Sequence, residues 1–210
     1  MPSGRKRNYA SPLREKAAED TRARILASAK ALFSRLGIDK ATIGAIAQSA
    51  GVAESTVYAL FKGKEGLLGA LMEAALFGDR FAAAAKHVEG EEDPVRAIAL
   101  TAHVSRAIYD GERAELGIIR GASAFSAALR KQEQRFEDIR YSMQEARIDR
   151  LFAAGRQHEG LTRDEARRVM WMYTSRDVWR LLVEEGGWTP DRYQSWLSET
   201  LVATLTRPTP

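Results

Sequence analysis

Residues 41–68 read ATIGAIAQSAGVAESTVYALFKGKEGLL, and this stretch decides the fold. Ile43, Ile46, Ala47 and Ala50 recur at the spacing of one apolar helical face. Thr42 stands just before them, where a hydroxyl can accept from the free amides of a first turn. Gly51 follows, where a left-handed residue ends a helix most cheaply. A second short helix begins after Val52 and is expected to bury Val57, Leu60 and Phe61. Its other face carries Glu54, Ser55, Thr56, Tyr58 and Lys62. Lys64 opens a long connecting helix behind Gly63.

Two short helices crossed through a glycine-containing turn form a unit that reads the major groove of DNA. Thr42, Ile46, Ala47, Ala50, Gly51, Val52, Thr56, Val57, Tyr58, Phe61, Lys64, Glu65, Leu67 and Leu68 stand at fixed spacings. In that pattern the stretch resembles the DNA-binding domain of the TetR family of bacterial regulators. The resemblance implies an all-α chain, with a three-helix reading domain over 1–63 and a helical ligand-binding and dimerisation domain over 64–210. It implies DNA contacts from Thr42, Gly44, Glu54, Ser55, Thr56, Tyr58, Lys62 and Lys64, with Tyr58 and Lys64 on phosphates. Two positions depart from the family's habit. Ala53 stands where a serine often caps the reading helix, a loss of about 1 kcal/mol unless Glu54 or Ser55 substitutes. Gly44 stands where relatives often carry a polar side chain that reaches the groove.

Charge agrees with that division. Residues 1–64 hold 12 Lys and Arg against 5 Asp and Glu, while the remainder holds 20 against 23. Positive charge thus gathers on the segment that would meet phosphates. Arg5, Lys6 and Arg7 form a basic arm suited to a minor groove or to solvent alone. The 210 residues are 45% hydrophobic and 29% charged, the balance of a globular chain. With no cysteine there are no disulfides and no thiolate sites, which suits a reducing cytoplasm. No apolar run behind the basic N-terminus suggests a signal peptide, and none is long enough to span a bilayer.

The rest of the chain reads as helices. The first is expected from Pro12 to Leu36, stopped by Gly37, with Ile25, Leu26, Ala29, Leu32, Phe33 and Leu36 inward. A long fourth helix is expected from Gly63 to about Val88. Asp93 and Pro94 start another that reaches Tyr109 and breaks at Asp110–Gly111. A helix of uncertain extent covers Leu116 to Arg120, and a long one runs from Ala127 to Gly155. Thr162 and Glu165 form a capping box opening a helix to Gly186–Gly187, and Thr189–Pro190 begins the last.

The stretch Arg176 to Leu205 also resembles the end of the regulatory domain in a common TetR subgroup. By that resemblance the last two helices pair with their copies in a four-helix dimer interface. Trp179, Leu182, Trp196 and Leu201 are the anchors expected there, or else they are internal core. His103, Arg120, Phe125, Phe136, Met143 and Trp171 have the mixed character of a ligand cavity, and equally that of ordinary core and surface.

His87, His103 and His158 lack metal-ligand spacing, and no nucleotide-binding glycine motif is present. Neither cofactor, metal nor catalytic constellation is therefore expected. The reading is a homodimeric DNA-binding regulator, a repressor released from a palindromic operator by a small-molecule inducer. The alternative is a helical small-molecule-binding protein or enzyme with a vestigial reading head.

Overall fold

The computed structural model describes residues 12–122 and 126–207, apart from the side chains of 12, 13, 114, 115, 118 and 120–122. The basic arm, the Arg120 side chain and Phe125 therefore lie outside the described residues. Among the described residues the regular structure is helical, with one isolated antiparallel bridge between Gln157 and Thr206. No helix there is long and apolar enough to cross a membrane.

The chain forms two compact units, one up to Leu71 together with 118–129, the other made of 72–117 and 130–210. In the first, α1 (Pro12–Leu36), α2 (Ile43–Ala50), α3 (Glu54–Phe61) and the opening of α4 (Lys64–Leu76) enclose one core. Ile25, Ala29, Phe33, Ile46, Val57, Leu67 and Leu68 are its most buried residues. Leu36 and Leu60, expected inside, are 41% and 39% exposed. Both sit at the last turn of a helix.

The second unit holds the end of α4, then α5 (Asp79–Glu89), α6 (Pro94–Ala122) as far as Gly117, α7 (Ala127–Met143) from Arg130 onward, α8 (Glu145–Ala153), α9 (Arg163–Tyr173), α10 (Arg176–Trp179) and α11 (Pro190–Leu205). A π-helical segment, Arg180–Glu185, extends α10. The Thr162–Glu165 capping box forms with both of its bonds.

Four expected boundaries move, each for a local reason. The helix expected to run to Val88 stops at Leu76, because Gly78 adopts extended backbone and starts α5. A Cβ at Gly78 would lie 2.5 Å from the Ala74 carbonyl oxygen, so the site admits only glycine. Conversely, Asp110–Gly111 does not break α6. A Cβ on Gly111 would sit 2.3 Å from the Ala75 carbonyl oxygen, so this glycine lets α4 and α6 approach closely. The helix expected over 127–155 divides at Gln144, and that expected over 162–186 divides at Thr174–Ser175. Thr174 and Gln144 are both buried and bonded to each other, which draws backbone and side chain out of the regular ladder.

Trp179 is 1% exposed, packed against Tyr109 at 5.7 Å and edge-on to Tyr193 at 4.8 Å. Leu201 is also fully buried. These two expected interface anchors are therefore core residues of their own subunit. Trp196 and Leu182 remain partly accessible.

Two predictions follow from this packing. Gly111→Ala is expected to lower stability by about 1–3 kcal/mol, because the clash is with backbone. Gly117→Ala, with no described neighbour within 4 Å, is expected to raise it by up to about 1 kcal/mol through helix propensity. Urea denaturation of both variants tests the pair, and a stabilised Gly111→Ala would refute the close approach. Burial pushes Tyr109 well above its ordinary value and Tyr193 up to about 12. Their contribution is complete below the unfolded value near 10 and lost as pH rises through the folded values. Alkaline unfolding should therefore steepen above about pH 10, and Tyr193→Phe should reduce that slope.

Candidate functional site

In the reading head, Thr42 accepts from the Ala45 amide at 3.1 Å and caps α2. Gly51 closes α2 in the left-handed region at φ 65°, its N–H directed to the Ala47 and Gln48 carbonyls. From α1, Arg24 donates to the Ala50 carbonyl at 3.2 Å, and the Arg22 guanidinium lies 4.7 Å above the Phe61 ring. These contacts fix α2 and α3 against their buttress.

Helix α3 starts at Ala53 without a side-chain cap. Neither Glu54 nor Ser55 supplies the missing bond. Glu54 instead reaches across to α2. A Cβ built on Gly44 would lie 2.9 Å from its Oε1. The carboxylate thus fills the space that a side chain at 44 would take, beside the first turn of α2. The free amides of that turn make it the positive end of the helix, which favours a carboxylate. Gly44 and Glu54 are consequently one feature.

Glu54 and Ser55 are exposed, Thr56 is half-buried and Tyr58 is 50% exposed. Lys62 ends α3 in the left-handed region at φ 63°, a conformation costing about 1 kcal/mol for a residue with a side chain. Its Nζ donates to the Ala59 carbonyl at 3.3 Å. Lys64 Nζ donates to the carbonyls of Ile38 and Asp39 at 3.2 and 2.9 Å. An ammonium has three donors, so Lys64 braces this loop and keeps one N–H for another acceptor.

The second unit holds the polar cluster that the sequence reading missed. Arg140, 4% exposed, ion-pairs with Glu137 and donates to Trp171 O and Thr174 Oγ1, both at 2.7 Å. Gln144 Nε2 donates to the same Thr174 hydroxyl at 2.8 Å, and that hydroxyl donates to Met170 O at 2.8 Å. Tyr109 donates to Thr174 O at 2.7 Å. Around this cluster lies a cavity of about 20 Å³, also lined by Val104, Ser105, Ile108, Met143 and Arg147. Burial lowers the pKa of Arg147, and Glu89 on α5 partly offsets the effect.

Of the six residues expected to line one cavity, the four whose side chains are described are not brought together. Met143 lines this one. His103 faces a separate open cleft with Arg80, His87, Arg106 and Asp110. Phe136 packs on Phe77, with ring centroids 5.7 Å apart. Trp171 lies under Arg140 and edge-on to Tyr141. Arg120 and Phe125 fall outside the described comparison. The cluster did leave a signal in the sequence. Phe136, Arg140, Gln144 and Ile148 recur every four residues and are all buried, so Arg140 and Gln144 interrupt an apolar stripe. Among the described residues no group of three or more His, Cys, Asp or Glu could hold a metal ion.

Residues 25–71 match the family model for bacterial regulatory proteins of the tetR family. No curated protein sequence matches the chain. Solved structures resemble it along most of their length. NalD of Pseudomonas aeruginosa, described as the secondary repressor of the MexAB-OprM multidrug efflux pump, is 23% identical. The similarity covers 91% of this chain and 98% of NalD, at a TM-score of 0.69. FadR of Bacillus subtilis, solved with stearoyl-CoA, is 19% identical over 87% of this chain and 98% of its own, at 0.65. A TetR-family regulator of Syntrophomonas wolfei is 17% identical over 88% and 96%, at 0.70. The matched helices are the ones whose caps, glycine turn and buttress have just been described, so over residues 25–71 this chain is similar to the bacterial regulatory proteins of the tetR family.

Proposed function

We propose that the chain is a ligand-responsive repressor that binds a roughly palindromic operator as a homodimer. The observation that carries this is the exposed face of α3, with Glu54, Ser55 and Tyr58 open to solvent on a helix braced from behind by α1. Thr42, Gly44 and Thr56 complete the groove-facing surface, while Tyr58, Lys62 and Lys64 hold phosphates. NalD, a repressor, and FadR with its bound acyl-CoA support both halves of the reading, the DNA and the small molecule. The test is a selection of bound sequences from random duplex DNA, followed by salt titration. The reading requires a two-fold symmetric site and an affinity that falls steeply with salt. Turnover of a small molecule with no salt-sensitive DNA binding would favour an enzyme with a vestigial head.

Base recognition by Glu54 depends on Gly44 in this reading. Glu54→Ala is expected to relax selection at one half-site position by about 1–3 kcal/mol. Gly44→Ala displaces the carboxylate and should alter preference at that same position. In the double variant the two effects should not add. Independent effects at different base pairs would separate the residues.

Dimerisation is needed because one short helix meets too few bases, and paired half-sites recur at about 34 Å or its multiples. Trp196 and Leu182 keep accessible surface for this role, and Leu181, 51% exposed on the π-helical segment, joins them. Leu181→Glu is expected to give a folded monomer with strongly reduced operator affinity, since a carboxylate is costly to bury without a partner. Sedimentation decides the matter: a dimer unaffected by Leu181→Glu excludes this surface from the interface. Trp196→Glu is the weaker probe, because Trp196 also packs on Tyr173 and Trp188.

A further inference from the structure

The cavity among α6, α7, α8 and α9 contains an unmet acceptor. Gln144 is 3% exposed and its Oε1 has no hydrogen-bond partner. The amide cannot be turned over at a profit. Its Nε2 already donates to Thr174 Oγ1, whose own proton goes to Met170 O. Reversing the amide would forfeit the bond to Met170 and leave both N–H donors unmatched, one hydrogen bond fewer in all. A buried acceptor left without a partner costs about 1–3 kcal/mol. A guest that brings a donor recovers that free energy.

The same wall carries charge of one sign. Arg140 and Arg147 line the cavity, and none of the lining residues is a carboxylate. Arg140 is already committed to Glu137, Trp171 and Thr174. Arg147 is not so committed: the charge that offsets it, Glu89, lies outside the cavity wall. Val104, Ile108 and Met143 supply the apolar remainder. From these features we infer that the cavity takes a small organic anion that also carries a hydroxyl or amine, its acid group on Arg147 and its donor on Gln144 Oε1. This rests on the reading of the chain as an inducible regulator and names the class of its inducer. The space of about 20 Å³ holds little more than a water, so entry requires side chains to move. Met143 and Arg147, both partly exposed and flanking the break at Gln144, are the ones free to do so.

Calorimetry with two hydroxy acids and their deoxy partners tests the inference: 4-hydroxybenzoate against benzoate, and 3-hydroxybutyrate against butyrate, with phenol as the uncharged control. At least one hydroxy acid should bind about tenfold tighter than its deoxy partner, the worth of one recovered buried hydrogen bond. Gln144→Met should erase that preference while leaving the acid bound. Arg147→Gln should weaken both members of a pair and leave phenol unchanged. Circular dichroism and thermal melting confirm that each variant is folded. No preference for either hydroxy acid, or a preference that survives Gln144→Met, overturns the inference, as does a cavity that holds only water. DNA binding separates the two readings. Selective acid binding with DNA affinity indifferent to it keeps this site and removes the inducer role. Salt-sensitive binding to a selected duplex without selective acid binding keeps the regulator and removes this ligand class.

Discussion

The hydroxyl of Thr174 has one proton and gives it to the Met170 carbonyl, one turn back in α9. Much of the second unit follows from that choice. The oxygen is left to accept, and it accepts from both Arg140 and Gln144. Two helices break around this meeting, α7 from α8 at Gln144 and α9 from α10 at Thr174. Tyr109 then takes the Thr174 carbonyl, which the end of α9 leaves without an intrahelical donor. The tyrosine is held where Trp179 packs on it. A hydrogen-bond constraint on one side chain thus fixes two helix ends and orients an aromatic core.

The reading head is organised on a different scale. Its caps and turns are set within a few residues: Thr42 serves Ala45, Gly51 serves the end of α2, and Lys62 closes α3. Its longer reaches are few and come from α1, through Arg22 and Arg24, and from Lys64 back to residues 38 and 39. Local rules suffice for such a unit, and each has its own residue type. The exchange between Gly44 and Glu54 is the exception. The absence of a side chain on α2 decides where a carboxylate from α3 goes.

That contrast explains what the sequence could convey. The α1–α3 boundaries, the capping box at Thr162 and the start of α11 were legible because caps, prolines and left-handed glycines act locally. Gly111 was read as a breaker because its approach to Ala75 is made by residues 36 apart in the chain. Trp179 was read as an interface anchor for the same kind of reason: an aromatic at helical spacing says that something buries it, not whether that partner is Tyr109 and Tyr193 or a second copy. The expected cavity residues were mostly apolar or aromatic, with His103 and Arg120 as their polar members, whereas the cavity is defined by Arg140, Gln144 and Thr174. Polar residues read as solvated unless their place in an apolar stripe is counted.

The buried cluster is difficult to justify as a device for stability. Taking an arginine out of water costs several kcal/mol, and a buried ion pair returns that only when its remaining donors are satisfied. Arg140 comes close, with Glu137, Trp171 O and Thr174 Oγ1 as partners. Gln144 does not, and its oxygen is left at a net loss. An apolar residue of similar size at 144 would remove that loss and leave Thr174 bonded to Arg140. Arg147 adds a second charge weakened by burial. Satisfied polar groups specify the shape of this core, while the unmet Gln144 oxygen imposes a cost that packing alone does not offset. Gln144 and Arg147 stand at the same break between α7 and α8 and face the same small space. A guest able to answer them would gain there what the empty fold gives up.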